Sequence, residues 1–322
     1  MRWYRSPSRL TLATATLLAV LVLPGAAGGE SAASCLAQLN AVRHRVGSPP
    51  VRSLTVPGRG QPLATAARNH AAYRAAADAR GLRDLSAHHE TRGRPGYTGR
   101  LPWDRTRAAG LPSSSWLAQA EDVITGVDAR ALAGVWAWTD APYHRFPLLD
   151  PNMTRAGCAS ASKTASSAAL GRHTWSAEVL DMAWPRQRQV TRIVAYPADN
   201  QVRVPTSFDR RLEAPRPFSK ATTPKVGYVA TLQASGWEAM KVSRMTLSRN
   251  GRPVPAYLGV RYAGPGLGGW VDRNLPGNAA MLAARAPLAP RTRYRVTMSG
   301  HVRAAPAAPW RPFGRTWAFT TV

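Results

Sequence analysis

Three short stretches of this 322-residue chain hold the side chains best suited to chemistry: Ala87-His88-His89-Glu90, Glu121-Asp122 and Tyr143-His144-Arg145. Two imidazoles and a carboxylate converging in a cleft could bind a divalent ion such as zinc, which takes ligands of these types. The same groups could instead hold one another by hydrogen bonds, with no metal. The candidate metal ligands are His88, Glu121 and His144; His89, Asp140 and Arg145 are further candidates for the cleft. Arg145 can also be read as a structural group that pins the loop after it through Asp150 or a carbonyl. Other chemistries find less support. Ser113-Ser114-Ser115 is a serine run, and no Gly-x-Ser-x-Gly elbow exists to position a nucleophile. The acids form no obvious glycosidase pair. No catalytic residue is assigned.

Helices and a strand must bring these stretches together. Residues 37–46 carry apolar side chains at helical spacing, and Gly47-Ser48-Pro49-Pro50 stops them. Residues 62–80 are Ala-rich without internal Pro or Gly, so a long helix is expected, with Gly81 past its end. Residues 83–99 are polar and turn-rich and hold His88 and His89. A short helix is expected over 102–109 and another over 128–138, with Asp128 as N-cap. The stretch 136–158 begins as a helix and ends approaching a strand. Residues 160–170 read as a Ser/Ala-rich loop, and 173–182 alternate as a strand.

After a charged, Pro-containing linker at 185–189 the chain becomes β-prone. Strands are expected at 190–196, 228–232, 242–247, 255–262, 279–284, 294–298 and 317–321, with Asn250-Gly251 as a hairpin turn. Short strands at this density, without a convincing helix, predict an immunoglobulin-like sandwich over 190–322. The loop 264–270 reads either as a plain linker or as a device presenting Trp270 to a glycan or partner.

Composition bounds the rest. A 44% hydrophobic content suffices for two cores. Arg2, Arg5 and Arg9 precede an apolar run over 10–23 and a small-residue site near Ala27, so residues 1–28 read as a secretory signal peptide. No later segment is long and apolar enough to span a bilayer. The net charge of +26 favours anionic partners such as an envelope polymer, glycan or lipid. Export, and the lack of a helix-turn-helix, zinc-finger or RNP pattern, argue against nucleic acid. Cys35 and Cys158 are the only cysteines, and in an exported chain one disulfide is their simplest use. Lipidation of Cys35 is the alternative, but the apolar run ends at Leu23, too far upstream for a lipobox.

Residues 35–184 resemble the CAP superfamily, the cysteine-rich secretory, antigen and pathogenesis-related group, and most closely its bacterial secreted branch. The resemblance rests on ordered pieces: Leu39-Asn40-Ala41-Val42-Arg43, Ala66-Ala67 with His70, Ala87-His88-His89-Glu90, Gly96-Tyr97-Thr98-Gly99 with Asp104-Arg105, Glu121-Asp122, Trp138, Tyr143-His144-Arg145 and Leu148-Leu149-Asp150-Pro151. It implies an α+β chain: an α-β-α sandwich, with a cleft of two histidines and two acids, ahead of the β-sandwich. The first histidine falls on His88 or His89, with His88 the better fit. The first acid falls on Glu121 and the second histidine on His144. The second acid has no counterpart: Ala141 and Pro142 stand near its place, and Asp140 only close by. In the C-terminal part, Pro287-Leu288-Ala289-Pro290 with Tyr294-x-Val296, and Trp317-x-Phe319-Thr320-Thr321, resemble the last strands of bacterial immunoglobulin-like modules. The expected function is an extracellular or envelope-associated binding module whose cleft holds a ligand without turnover. The alternative is a metal-dependent secreted hydrolase using His88, Glu121 and His144.

Overall fold

Alanine sets the geometry of the N-terminal half. The computed structural model describes residues 32–112, 116–127, 134–167, 171–186, 190–263, 267 and 270–322. The expected leader, the serine run and most of the linker fall outside these. Helices α1 (Ala32–Arg45), α2 (Pro62–Ala79), α3 (Pro102–Ala108), α4 (Gly134–Asp140) and α5 (Pro142–Leu149) surround strands β1 (Trp116–Val127), β2 (Arg155–Ser167) and β3 (Gly171–Pro185). The sheet order is β1-β3-β2, so β1 is an edge strand.

Helix α2 starts on Pro62, whose fixed φ suits the first turn. It ends where Gly81 adopts φ +67, and the amide of Leu82 bonds back to the Ala77 carbonyl. Ala67, Ala71 and Ala75 form a small-residue stripe against Ala159, Ala177 and Val179 of the sheet. The approach is closest at Gly157, where a Cβ would lie 2.2 Å from the backbone nitrogen of Ala64. No side chain fits there.

Alternation along the strands sorts residues between two faces. Val123, Ala177 and Val179 face α2. Ala156, Cys158, Leu180 and Met182 face the other way, into a core with Leu39, Val135 and Trp138. The Cys35–Cys158 disulfide ties α1 to β2 on that side. The result is a three-layer α-β-α unit.

One expectation is corrected: residues 160–167 are not a loop, since β2 continues to Ser167 and pairs with β3 along its whole length, while 168–170 and 128–133 lie outside the described residues. Its outer part is held by the ladder and by cross-strand pairs such as Ser162–Ser176 and Thr164–Thr174, despite weak strand propensity. The expected helix over 128–138 is described only from Gly134.

Among the described residues of the C-terminal region the regular elements are strands, apart from one 3₁₀ turn at Arg210–Leu212. Its strands are β4 (Arg192–Tyr196), β5 (Gln201–Val204), β6 (Ser207–Asp209), β7 (Lys225–Gly227), β8 (Ala230–Ser235), β9 (Ala239–Arg249), β10 (Arg252–Val254), β11 (Ala256–Val260), β12 (Tyr262–Ala263), β13 (Trp270–Val271), β14 (Ala279–Ala284), β15 (Arg293–Arg303) and β16 (Arg311–Thr321). One sheet runs β10-β9-β15-β16-β5 with β12 beside β9; the other runs β13-β11-β14-β8-β4. Their inner faces share Val242, Leu247, Val296, Trp317 and Phe319 with Leu232, Ala280 and Leu282. Asn250 and Gly251, both at positive φ, make the β9–β10 turn. The chain as a whole is α+β, a helix-bearing unit followed by a β-rich region.

The core does not stop at the junction. Leu148, Leu149 and Met153 belong to the same buried cluster as Val194, Tyr196 and Tyr228. Asn152 exchanges two hydrogen bonds with the backbone of Val190, at 2.8 and 2.9 Å. Ser235 donates to Asp150.

Candidate functional site

Glu121 and Asp122 are neighbours on edge strand β1, so their carboxylates leave on opposite faces of the sheet. Each organises its own cluster. Sequence reading placed no strand here, because two consecutive acids carry no alternation signal.

On the α2 side, Glu121 is buried with three cationic or imidazole partners. Arg105, fully buried on α3, donates from Nη2 at 2.5 Å, and His88 Nδ1 lies 3.1 Å from the other oxygen. His70 Nε2 is 3.7 Å away. Burial alone would raise the Glu121 pKa, but His88, His70 and Arg105 together hold it below the usual range. Asp181 sits directly across the ladder from Glu121. Burial first, and then the Glu121 charge, push the Asp181 pKa well above the usual carboxylate range. His70 Nδ1 bonds Glu90 at 2.9 Å and its Nε2 faces the Ala87 carbonyl at 2.9 Å, which fixes the turn that presents His88. Glu90 also accepts from the amides of Thr98 and Gly99.

On the α5 side lie Asp122 and His144, with His144 Nε2 at 4.0 Å from Asp122 Oδ1. The other ring nitrogen, Nδ1, lies 2.9 Å from Oε1 of Glu213, a residue of the C-terminal region. The same oxygen accepts from the amides of Tyr143 at 2.8 Å and His144 at 3.3 Å. Pro142 occupies the first turn of α5, so Glu213 caps the free amides at a helix N-terminus, where an anion is favoured. Tyr143 adds a bond from its hydroxyl to Asp272. Burial lowers the His144 pKa, but Asp122 and Glu213 outweigh it and lift the imidazole to about 9. Burial raises Asp122 to about 6 against the pull of His144 and His88. One oxygen each of Asp122 and Glu213 is buried without a hydrogen-bond partner. The His144 side chain remains 24% exposed.

The structure therefore brings His88 to Glu121, and His144 to Asp122 across the strand. His89 turns away and bonds Ser86 at 2.6 Å. Asp140 is exposed and accepts from the Tyr228 hydroxyl at 2.5 Å. Arg145 is a correction to the expected cleft. It is fully buried, donating to the carbonyls of Thr139, Asp140 and Val229, with its guanidinium 4.5 Å from the Tyr196 ring centroid. It fastens the junction and offers nothing to a ligand.

A metal held by His88, Glu121 and His144 does not fit these residues. Both Glu121 oxygens are engaged, one by a guanidinium. His88 Nδ1 and His144 Nδ1 are likewise already engaged by carboxylates. Among the described residues, no group of three or more His, Cys, Asp or Glu is placed to hold a metal ion.

Glu213, Arg105, Asp181 and Asp122 were not among the expected site residues. Glu213 had one faint signal: it is the only acid between Asp209 and Glu238.

A three-layer α-β-α unit, with histidines and acids gathered along one edge strand, is the arrangement the family resemblance implied. The model of the cysteine-rich secretory protein family, CAP, matches residues 36–178, which supports CAP-superfamily membership for the N-terminal region. No curated protein matches the chain. No helix among the described residues is long and apolar enough to cross a membrane.

Proposed function

We propose that the protein is a secreted, envelope-associated binding protein whose CAP cleft, along edge strand β1, holds a ligand without turning it over. The observation that carries this is the state of His144. Clamped between Asp122 and Glu213 with its pKa lifted to about 9, it is a fixed cation at neutral pH. Such a group can donate a hydrogen bond, but in that state it cannot act as a general base. Glu121, saturated by His88 and Arg105, is equally unavailable as a base. What remains is a partly exposed imidazolium held between two buried carboxylates. Its exposed edge suits a ligand that offers hydrogen-bond acceptors, such as the hydroxyl oxygens of a glycan.

Secretion is supported by the basic and apolar N-terminus and by the disulfide. The bacterial branch rests on the quoted motifs. We read residues 35–184 as the CAP-like unit and 190–322 as an immunoglobulin-like sandwich, supported by the two facing sheets and the parallel pairing of β5 with the last strand. The strong positive charge favours an anionic envelope polymer, glycan or lipid as partner.

The test uses the purified full-length protein, with binding and hydrolysis measured on the same isolated envelope polysaccharide, with and without a chelator. Saturable binding without chain cleavage, unchanged by chelator and weakened by His144→Gln, is the expected result. Chelator-sensitive cleavage lost in His144→Gln would replace this reading with a metal-dependent hydrolase.

A further inference from the structure

A cavity of about 350 Å³ opens in the C-terminal region, well away in sequence from the CAP cleft. Three aromatic side chains, Phe218, Tyr257 and Trp270, line it together with two cations, Lys220 and Arg285. We propose that this is a second ligand site, built for an acidic saccharide.

Strand β13 pairs in parallel with β11, setting Trp270 beside Gly259. Gly259 lets Met281 and Phe218 pack close to the backbone under this edge, since a Cβ there would lie 2.8 Å from Met281 Cε and 3.7 Å from Phe218. The rings of Phe218 and Tyr257 meet at 32° with centroids 6.1 Å apart, giving an angled wall.

The cations decide the ligand class. Arg285 lies over the Tyr257 ring at 5.5 Å, which orients the guanidinium while leaving its N–H groups free. Lys220 and Arg285 are both exposed, and among the described residues neither is ion-paired with a carboxylate. Two unneutralised cations on one concave aromatic cavity call for an anion. A guanidinium fork matches a carboxylate in bidentate geometry. The partly exposed rings of Tyr257 and Trp270 match the C–H face of a pyranose ring. A neutral sugar would leave the cations unused, and a bare phosphate would leave these two rings unused. The volume is at the small end of the range for small-molecule sites and fits one or two sugar units. Net charge gives only diffuse attraction; this cavity gives a place and a shape. The inference goes beyond the CAP cleft and shares no residue with it.

The test is calorimetric titration of the full-length protein with a short oligogalacturonate at physiological salt. A neutral cello-oligosaccharide and phosphatidylglycerol vesicles serve as comparison probes. We expect saturable oligogalacturonate binding, at least about tenfold tighter than the neutral sugar, a difference readable directly as Kd. Trp270→Ala should weaken it about tenfold or more, and so should the Lys220→Gln/Arg285→Gln double variant, whose side chains are exposed and whose fold is checked by circular dichroism. His144→Gln should bind this probe as wild type does, which separates the two sites. Equal affinity for the neutral sugar, no binding, a preference for the vesicles, wild-type binding by the double variant, or loss in His144→Gln would each overturn the proposal.

Discussion

Glu213 Oε1 and His144 Nδ1 lie 2.9 Å apart although 69 residues separate them in the chain. The acid comes from the β-rich region and the imidazole from α5, so the charge state of the site along β1 is set by both. The three-layer unit alone would leave His144 with Asp122 only, at 4.0 Å.

Glu213→Gln separates charge from capping. The amide oxygen can still accept from Tyr143, but of the two carboxylate charges that lift His144 only that of Asp122 remains. The His144 pKa, followed by NMR, should fall from about 9 by roughly one unit or more. Glu213→Ala also removes the cap and should cost about 1–3 kcal/mol of stability. An unchanged imidazole titration in both variants would show that Glu213 does not govern it.

Stability should fall with pH on the alkaline side. The unfolded imidazole loses its proton near 6.5, while the folded one keeps it to about 9. Between these values the folded state binds more protons, so its stability drops as pH rises. The His144 contribution, discounted for partial exposure, is about 2 kcal/mol. Urea midpoints should decline from pH 6.5 to 9 in wild type and decline less in His144→Gln. Asp122, raised from 3.8 to about 6, adds a decline in the same direction at lower pH.

The junction should unfold with the rest. Arg145→Met would strand the Thr139 and Val229 carbonyls in a buried site and cost about 3 kcal/mol. Calorimetry of wild type should give one cooperative transition, and Arg145→Met should shift it down or split it. Two independent transitions in wild type would mean that the shared core carries little coupling.

Gly157→Ala should be more severe than its size suggests. The added carbon meets backbone, which cannot step aside as a side chain can. A loss of about 3 kcal/mol or more is expected, read from the urea midpoint. Ala67→Gly, on the same interface, should cost about 1 kcal/mol through helix propensity and a lost methyl group.

Much of this was readable in the chain. Alanine without Pro or Gly marked α2, Asn250-Gly251 marked a hairpin, and alternation marked the core of β15 and β16. The failures have physical causes. Strand β1 holds Glu121 and Asp122 in its middle, where a solvent-facing pattern would be expected, because each acid has a buried counter-charge that sequence spacing does not show. The outer half of β2 is serine and alanine, held by its partner strand. Arg145 looked like a cleft residue because its neighbour His144 is one; the helix turns the two apart. Glu213 could not be seen as a partner of His144 without the packing of one region on the other.

Synthesis runs from the N-terminus, so α5 leaves the ribosome before residue 213 does. Until then the amides of Tyr143 and His144 have no carboxylate to meet, and Arg145 has no Val229 carbonyl. The early half of the chain can form its disulfide and its sheet, but the polar cluster around His144 stays chemically unfinished. A chain released or clipped between α5 and residue 213 would thus carry the histidine with only one of the two carboxylates that keep it charged.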